Sequence, residues 1–596
     1  MNKPIFIVFI VTLLSYWGVA KGFSSKIISN TDYLSAQPIV IQSVQKNNSV
    51  QYTTQAFNLS YTKSMTSPSL SLIWQKNITA PVSQPIYVGM ADFPFPDRWP
   101  WTHDSGSPPE NNLSAQKYSE FQKAQSQRSS VVYQIDGKYT LHGFDLKTGQ
   151  SLVNISLSEL LNTEFLLAKG QLGAEPQMVI SDAFINNSWH TLLIAAVGER
   201  RQTIFCLDIT HPFLLAGRAA KNQVWWQKTD SRGYFSRPTI IRAADGYWNV
   251  LLAQEGCLDD VFVAGIIKIY SLQNGSGKNE IILPAFAPNL IIEKQNRLEK
   301  QTDVAAQKVS PSKHSNGKGK KSNTVGQCSI DNTEISVQPT SFKQSSADTK
   351  GKTTDMAQCQ NRIQFVQMSP IDSRSRGYVD FLYVGDNYGT LWKFDMTAKT
   401  PKQWGLVKQT KDNMKNRMGV FSMVEGEQYG QILSQPKIIS HSTGQGVLIS
   451  CLAQSKKTHN HYLVSIWDKG LDNYVFSDLH DVNIDVSENW YINNAENSST
   501  PIVRNNRVLS VLPGYQAATF DMKNGQKHSQ SPYELIGNIN QSNQALELVG
   551  EPLVFQQGAA EPNMLLHGLL DGSFVWTEIN IESDRIGRRV WRELNE

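Results

Sequence analysis

Cysteine is scarce in this chain: five residues in 596, at positions 206, 257, 328, 359 and 451. That excludes a scaffold built from disulfides, and the odd count leaves at least one thiol unpaired unless it bonds between chains. Charge is also sparse, at 18% charged residues and a net of +4. Such a balance offers no global field for nucleic acid or a membrane surface. After the N-terminal stretch, no apolar run approaches the ~20 residues that cross a bilayer. Helical periodicity is rare, and Ser119 to Gln127 and Leu157 to Leu161 are the best short examples. The common catalytic signatures are missing: no Gly-x-Ser-x-Gly, no His-Glu-x-x-His, no Cys-x-x-Cys. Gly275-Ser-Gly-Lys278 lacks the spacing of a phosphate loop and reads as a β-turn. His459 and His461 have no third ligand nearby in sequence and read as solvent-facing imidazoles. Asp104-Ser-Gly-Ser107 is followed by Pro108-Pro109, where a metal-adhesion motif would need a helix. These absences argue against an enzyme and leave a binding or assembly role.

What is present begins with an export signal. Lys3 precedes an apolar run from Ile5 to Val19, and small residues follow at Gly18, Ala20 and Gly22. This predicts a signal peptide over 1–22 and an exported chain with no transmembrane segment. From there the composition is that of a β-rich globular protein, with 10% aromatics, 39 Gly and 25 Pro. Short strands alternate with Asp- or Gly-bearing turns. Val132-Tyr133 leads through Asp136-Gly137 to Leu141-His142-Gly143-Phe144-Asp145, and Tyr383 leads through Asp386 and Gly389 to Leu391-Trp392-Lys393-Phe394-Asp395. Several units end in an apolar residue followed by Asp: Phe144-Asp145, Leu207-Asp208, Phe394-Asp395 and Phe520-Asp521. The apolar residue suits packing between adjacent sheets, and the Asp suits capping the turn backbone. About seven such units favour an all-β propeller of irregular blades over a sandwich.

The expected organisation is an N-terminal segment over 23–80, a first part of the propeller over 81–292 and a second over 361–596. Between them, residues 293–360 are rich in Lys, Gln, Ser, Asn and Thr and poor in aromatics. Too little apolar area is available there to offset ordering entropy, which predicts a disordered insert. Its basic stretch from Lys313 to Lys321 has no interleaved aromatic for base stacking, so no nucleic acid is expected. Cys328 and Cys359 both lie in the insert and are the candidate disulfide. An oxidising compartment permits the bond, whereas spacing alone leaves its geometry open.

Read in order, the strings Ser83-Gln-Pro-Ile-Tyr87-Val-Gly89, Phe93-Pro-Phe-Pro-Asp97, Tyr118-Ser-Glu-Phe121, the two Asp-Gly hairpin strings above and the closing Gly587-Arg-Arg-Val-Trp591-Arg-Glu-Leu594 resemble the C-terminal domain of PilY-type adhesins of type IV pilus tips. The resemblance runs from about Pro81 to the C-terminus, broken by the insert. Two departures stand out. The large N-terminal adhesive module of many members has no counterpart here. The family's calcium loop, Asp-x-Asp-x-Asp-Gly-x-x-Asp, is represented by Asp372-Ser-Arg374-Ser-Arg376-Gly377-Tyr-Val-Asp380. Guanidinium groups at Arg374 and Arg376 would repel a cation and suit pairing with Asp372 and Asp380. The loop is therefore expected to hold its shape without calcium, and no cofactor is expected.

The resemblance implies an exported, non-enzymatic propeller supporting pilus biogenesis, adhesion or twitching. Its partners would be minor pilins and the pilus machinery, with a host or abiotic surface as a further contact, and its place the periplasm, outer membrane or pilus tip. Two alternatives share the propeller architecture. One is a quinoprotein dehydrogenase holding pyrroloquinoline quinone, whose tryptophan-docking repeats and adjacent-cysteine pair are not visible in this sequence. The other is a periplasmic scaffold of the outer-membrane assembly type.

Overall fold

The computed structural model describes residues 23–24, 38–47, 49–60 and 69–79, most of 83–99, 109–283 and 362–407, and the strand segments between 421 and 579. The expected signal peptide over 1–22 and insert over 293–360, with Cys328 and Cys359, lie outside the described residues, as do Arg374, Arg376 and the closing Trp591 string.

The chain folds as a β-propeller. Among the described residues, its strands form eight antiparallel sheets with a core of four strands each. Blade 2 comprises Ile86–Val88, Val131–Ile135, Thr140–Asp145 and Ser151–Ser156, paired in sequence order. Blade 3 comprises Gln177–Ile185, Ser188–Val197, Thr203–Asp208 and Val224–Thr229. Blade 4 runs from Thr239–Arg242 to Gly277–Leu283, and blade 5 from Ser369–Ile371 to Gly405–Leu406. Blades 6 and 7 begin at Lys437–Ser440 and Ile502–Arg504. In blade 8 the outermost strand, Glu534–Ile536, precedes the other three in sequence and pairs with Phe574–Ile579. The short strand Phe23–Ser24 lies beside Leu548–Gln556, which brings the first blade next to the last.

The sequence count of about seven units thus becomes eight. The additional blade is built by Phe23–Ser24, Pro38–Asn47, Ser49–Ser60 and Ser69–Ile78, within the stretch read as an N-terminal segment ahead of the propeller. It lacks the apolar-Asp-turn-Gly signature, and its strands are polar and long, which hid it. What joins it to blade 2 is one face: Ala56, Trp74 and Ile78 pack on Val132, Phe144 and Leu146.

Blades stack because each sheet has two apolar faces, and a sheet of that kind must be covered on both sides. The run Leu192-Leu-Ile-Ala-Ala-Val197 is continuous rather than alternating for this reason. Leu193, Ala195 and Val197 face blade 2, against Tyr133, Leu141 and Val153. Leu192, Ile194 and Ala196 face blade 4, against Ile240, Val250 and Leu252. Blade 4 repeats the device toward blade 5, with Leu251, Ala253 and Ile267 against Leu382, Val384 and Phe394.

Two further features were absent from the sequence reading. The first is a proline at or just before the innermost strand of seven blades: Pro85, Pro176, Pro238, Pro370, Pro436, Pro501 and Pro552. An innermost strand has one unpaired edge, and proline, which has no N–H, suits an edge that has no partner. The second is tryptophan docking. Trp74 on the outer strand of blade 1 reaches the turn after the third strand of blade 2, where its Nε1 donates to the Leu146 carbonyl at 2.8 Å. Trp226 of blade 3 does the same to the Leu272 carbonyl of blade 4, also at 2.8 Å. Each indole lies on a glycine with positive φ, Gly149 at 68° and Gly275 at 66°. A Cβ on either would come within 2.6 or 2.7 Å of the ring. Tryptophans thus dock across two blade junctions, with the glycine and the tryptophan far apart in the chain.

Candidate functional site

In a meander of this kind the connections between first and second strands all emerge at one end of the propeller. Blade 2 carries its largest insertion there, between Val88 and Val131, and its described residues meet blades 3 and 4: the Gln116 amide donates to the Asn187 carbonyl, and Glu110 accepts from Arg242. The helix Tyr118–Ala124 sits in it, at the position expected for a helix from Ser119. Asp97, the last residue of the Phe-Pro-Phe-Pro-Asp string, caps that helix from outside: its two carboxylate oxygens accept from the Ser119 amide and hydroxyl, both at 2.7 Å.

The underside of the segment is aromatic. Phe95 stacks on Trp189 and meets Tyr118 and Trp248 edge-on, each with centroids 5.2 Å apart. Trp99 lies against Trp189 and Trp248 at 6.4 and 6.2 Å. Arrangements of this type add about 0.5–1.5 kcal/mol per pair beyond the area they bury. Polar ties fix the register. The Tyr118 hydroxyl donates to Asp182 Oδ2 at 2.7 Å, while Thr191 donates to Asp182 Oδ1 at 2.6 Å. Arg128 then bridges back, donating to the Gly89 carbonyl and to Thr191.

At the centre of this end is Arg242, the last residue of the innermost strand of blade 4. Its Nε and a terminal nitrogen donate to the two oxygens of Glu110 at 2.8 and 3.1 Å. The side chains are only 6% and 2% exposed. Trp248 Nε1 also donates to Glu110, at 3.3 Å. The guanidinium lies 4.7 Å from the centre of the Trp99 ring. Its remaining arm donates to the Gly377 carbonyl at 3.0 Å, and the Val379 amide donates to the Arg242 carbonyl at 2.9 Å. One residue thus ties the insertion, the aromatic layer and the 372–380 loop together. Sequence reasoning missed it because Glu110 and Arg242 are 132 positions apart, and an isolated arginine carries no local signal.

The 372–380 loop is the one whose sequence resembles a calcium loop with its two middle carboxylates replaced by arginine. Asp372 Oδ2 accepts from the Gly377 amide at 2.6 Å, and Gly377 turns the chain with φ at 76°. Asp380 is fully buried, its amide donating to the Ile371 carbonyl and its own carbonyl accepting from Met396, both at 2.9 Å. Two oxygens that a cation would draw on, the Asp372 carboxylate and the Gly377 carbonyl, are occupied by protein donors. Among the described residues no cluster of three or more His, Cys, Asp or Glu side chains is arranged for a metal ion.

The apolar-Asp corners act as turn caps. Asp145 Oδ1 accepts from the Lys147 and Thr148 amides, and Asp395 Oδ1 from the Thr397 amide and hydroxyl. Asp208 caps Thr210, and Asp521 pairs with Arg507 at 2.6 Å. A parallel set sits at the opposite end of the blades. Asp136 and Asp386 each accept from two amides of their own turn and hold a ring six residues on, His142 and Trp392. Cys206 is a free, fully buried thiol, and burial, aided by the Asp208 charge, pushes it well above the usual range. Gly275 makes the expected turn. His459 is outside the described residues, and His461 begins a strand of blade 6.

No family model matches this chain. Over 146 residues it is 33% identical to the type IV pilus biogenesis factor PilY1 of Pseudomonas aeruginosa strain UCBPP-PA14, a stretch covering 22% of this chain and 12% of that protein. Over that stretch the chain is similar to a PilY1 protein. A PilY1 homolog of Xylella fastidiosa aligns over 359 residues at 19% identity, covering 59% of this chain and 19% of the homolog. The chain thus spans well under a quarter of the length of these PilY1 relatives. The crystal structure of the P. aeruginosa PilY1 C-terminal domain superposes with a TM-score of 0.48 and 16% identity, covering 83% of this chain and 99% of that domain. Among the described residues, no helix is long and apolar enough to cross a membrane.

The Arg242 tie is directly testable. Removing one partner of a buried pair strands the other charge, which costs about 3–5 kcal/mol. Glu110→Gln and Arg242→Met are each expected to lose stability of that order in denaturant titrations. The double variant Glu110→Leu with Arg242→Met is expected to recover most of it. Single variants as stable as the parent would show that the tie is idle.

Proposed function

We propose that this chain is an exported propeller that supports type IV pilus biogenesis by binding, associating with minor pilins or other parts of the pilus machinery. The observation that carries the reading is the 33% identity to a PilY1 biogenesis factor, supported by the family strings in their family order. The propeller is consistent with it, since its blades are filled by packed side chains and its insertion-bearing end is braced by Arg242 and Glu110. A quinoprotein dehydrogenase is the second reading, favoured by the Trp74 and Trp226 dockings alone; alcohol oxidation with added quinone and a dye acceptor would revive it.

Deletion of the gene is expected to reduce surface piliation and twitching, restored by the wild-type chain. Immunogold labelling is expected to find the protein on cells and sheared pili. Unchanged piliation, adhesion and motility in the deletion strain would remove the proposal.

The 372–380 loop is proposed to function without calcium: Arg242 donates to its Gly377 carbonyl, and the sequence has Arg374 and Arg376 where two carboxylate ligands would be needed. Isothermal titration of the intact protein is expected to show no micromolar calcium binding. Micromolar affinity that disappears in Asp380→Ala would overturn this.

A further inference from the structure

The outer rim of blade 3 carries an arrangement that its sequence spacing conceals. Ser188 and His190 lie two apart on one strand, so their side chains share a face, and Asp208 lies at the end of the neighbouring strand. Ser188 Oγ is 2.9 Å from His190 Nε2, and His190 Nδ1 is 2.9 Å from Asp208 Oδ2. Asp208 Oδ1 accepts from the Thr210 amide at 2.9 Å, which orients the carboxylate. Trp225 meets the imidazole edge-on at 4.9 Å and covers one side of it.

The protonation pattern follows from the partners. Burial alone would raise the Asp208 pKa, but hydrogen bonds from His190 and Thr210, with the His190 charge, hold it below the ordinary carboxylate value. An ionised carboxylate only accepts, so Nδ1 carries the proton and, in the neutral ring, the Nε2 lone pair faces the serine hydroxyl. This is the connectivity of nucleophile, base and orienting acid that hydrolases of unrelated folds share, defined by roles and geometry rather than by chain position. The histidine side chain is 25% exposed and the aspartate 13%, and Ser188 is half-buried at the end of its strand. Ser188 Oγ also donates to the Ile185 carbonyl at 3.3 Å, so that carbonyl competes with His190 Nε2 for the one hydroxyl hydrogen. At the hairpin tip, Asn186 and Asn187 adopt left-handed backbone with φ of 53° and 65°. The strand ladder starts next to this turn, at the Ser188–Ile185 pair.

We propose that Ser188, with His190 as base and Asp208 as its orienting partner, is a nucleophilic site for small activated esters. Ser188 Oγ forms a bond to the acyl carbon and the carbon–alkoxide bond breaks. The serine proton passes to His190 Nε2 and from there to the departing alcohol. Water then releases the acid by the same route, so no oxidant or cofactor is needed.

The test uses the intact exported protein and a fluorophosphonate probe. The serine oxygen bonds to phosphorus, the P–F bond breaks, and fluoride leaves with the proton taken up by His190. Peptide mass spectrometry is expected to find the phosphonyl group on Ser188 and to find none at this position in Ser188→Ala. A general base contributes about 10²–10⁴-fold, so His190→Ala is expected to slow labelling by at least about ten-fold while circular dichroism stays unchanged. Asp208→Asn reports on the same relay if His190→Ala fails to fold, and it too is expected to label more slowly. Absence of the adduct from Ser188, or labelling that proceeds equally fast in folded His190→Ala or Asp208→Asn, would overturn the proposal and leave a hydrogen-bonded clasp across two strands.

Discussion

The whole fold follows from one constraint: a sheet apolar on both faces has to be covered on both. Single-faced sheets are satisfied by one partner and stop at a sandwich. Here Leu192 and Leu193 need different neighbours, one supplied by blade 4 and the other by blade 2. Passing the requirement from blade to blade ends only when the last sheet comes beside the first. That is why the strand Phe23–Ser24 is found next to Leu548–Gln556, and why the outer strand of blade 8 comes from an earlier part of the chain.

Within that frame, local devices set the spacing between blades. Trp74 and Trp226 reach across to a glycine turn and donate to a carbonyl there. The prolines at the inner strands remove donors from an edge that has no neighbour. The Asp corners absorb the amides of their own turns. The insertion over one end adds a different kind of link, in which a single guanidinium serves a carboxylate, an indole face and a backbone carbonyl. Its burial makes it expensive to break, which suits an element that holds one end of the propeller in a fixed shape.

Much of this was legible in the residues, though unevenly. The strands of blades 2 and 5 stand out because Phe144-Asp145 and Phe394-Asp395 end in the same capped turn, and the short helices near 119 and 157 follow from their apolar spacing. The first blade escaped because its strands, Pro38–Asn47 and Ser49–Ser60, are polar on one face and carry no Asp-Gly turn. Tryptophan docking escaped because Trp74 and Gly149 are brought together only by the stacking of blades. The Glu110–Arg242 tie and the Ser188–His190–Asp208 relay escaped for the same reason: their partners meet across strands or across blades. The inner prolines were readable and went unread, since seven Pro positions, each in or just before an innermost strand, mark the inner strands of seven blades.

The assignment of residues 23–78 as a blade of the propeller, rather than a leader ahead of it, is where the account is most exposed. Hydrogen–deuterium exchange read by mass spectrometry on the intact protein measures it directly. If Ser49–Ser60 and Ser69–Ile78 are paired strands covering Phe144 and Leu146, their peptides will be protected to the same degree as those of Val131–Ile135 and Thr140–Asp145. Exchange at the rate of an unstructured peptide over 49–78, with blade 2 still protected, would contradict it.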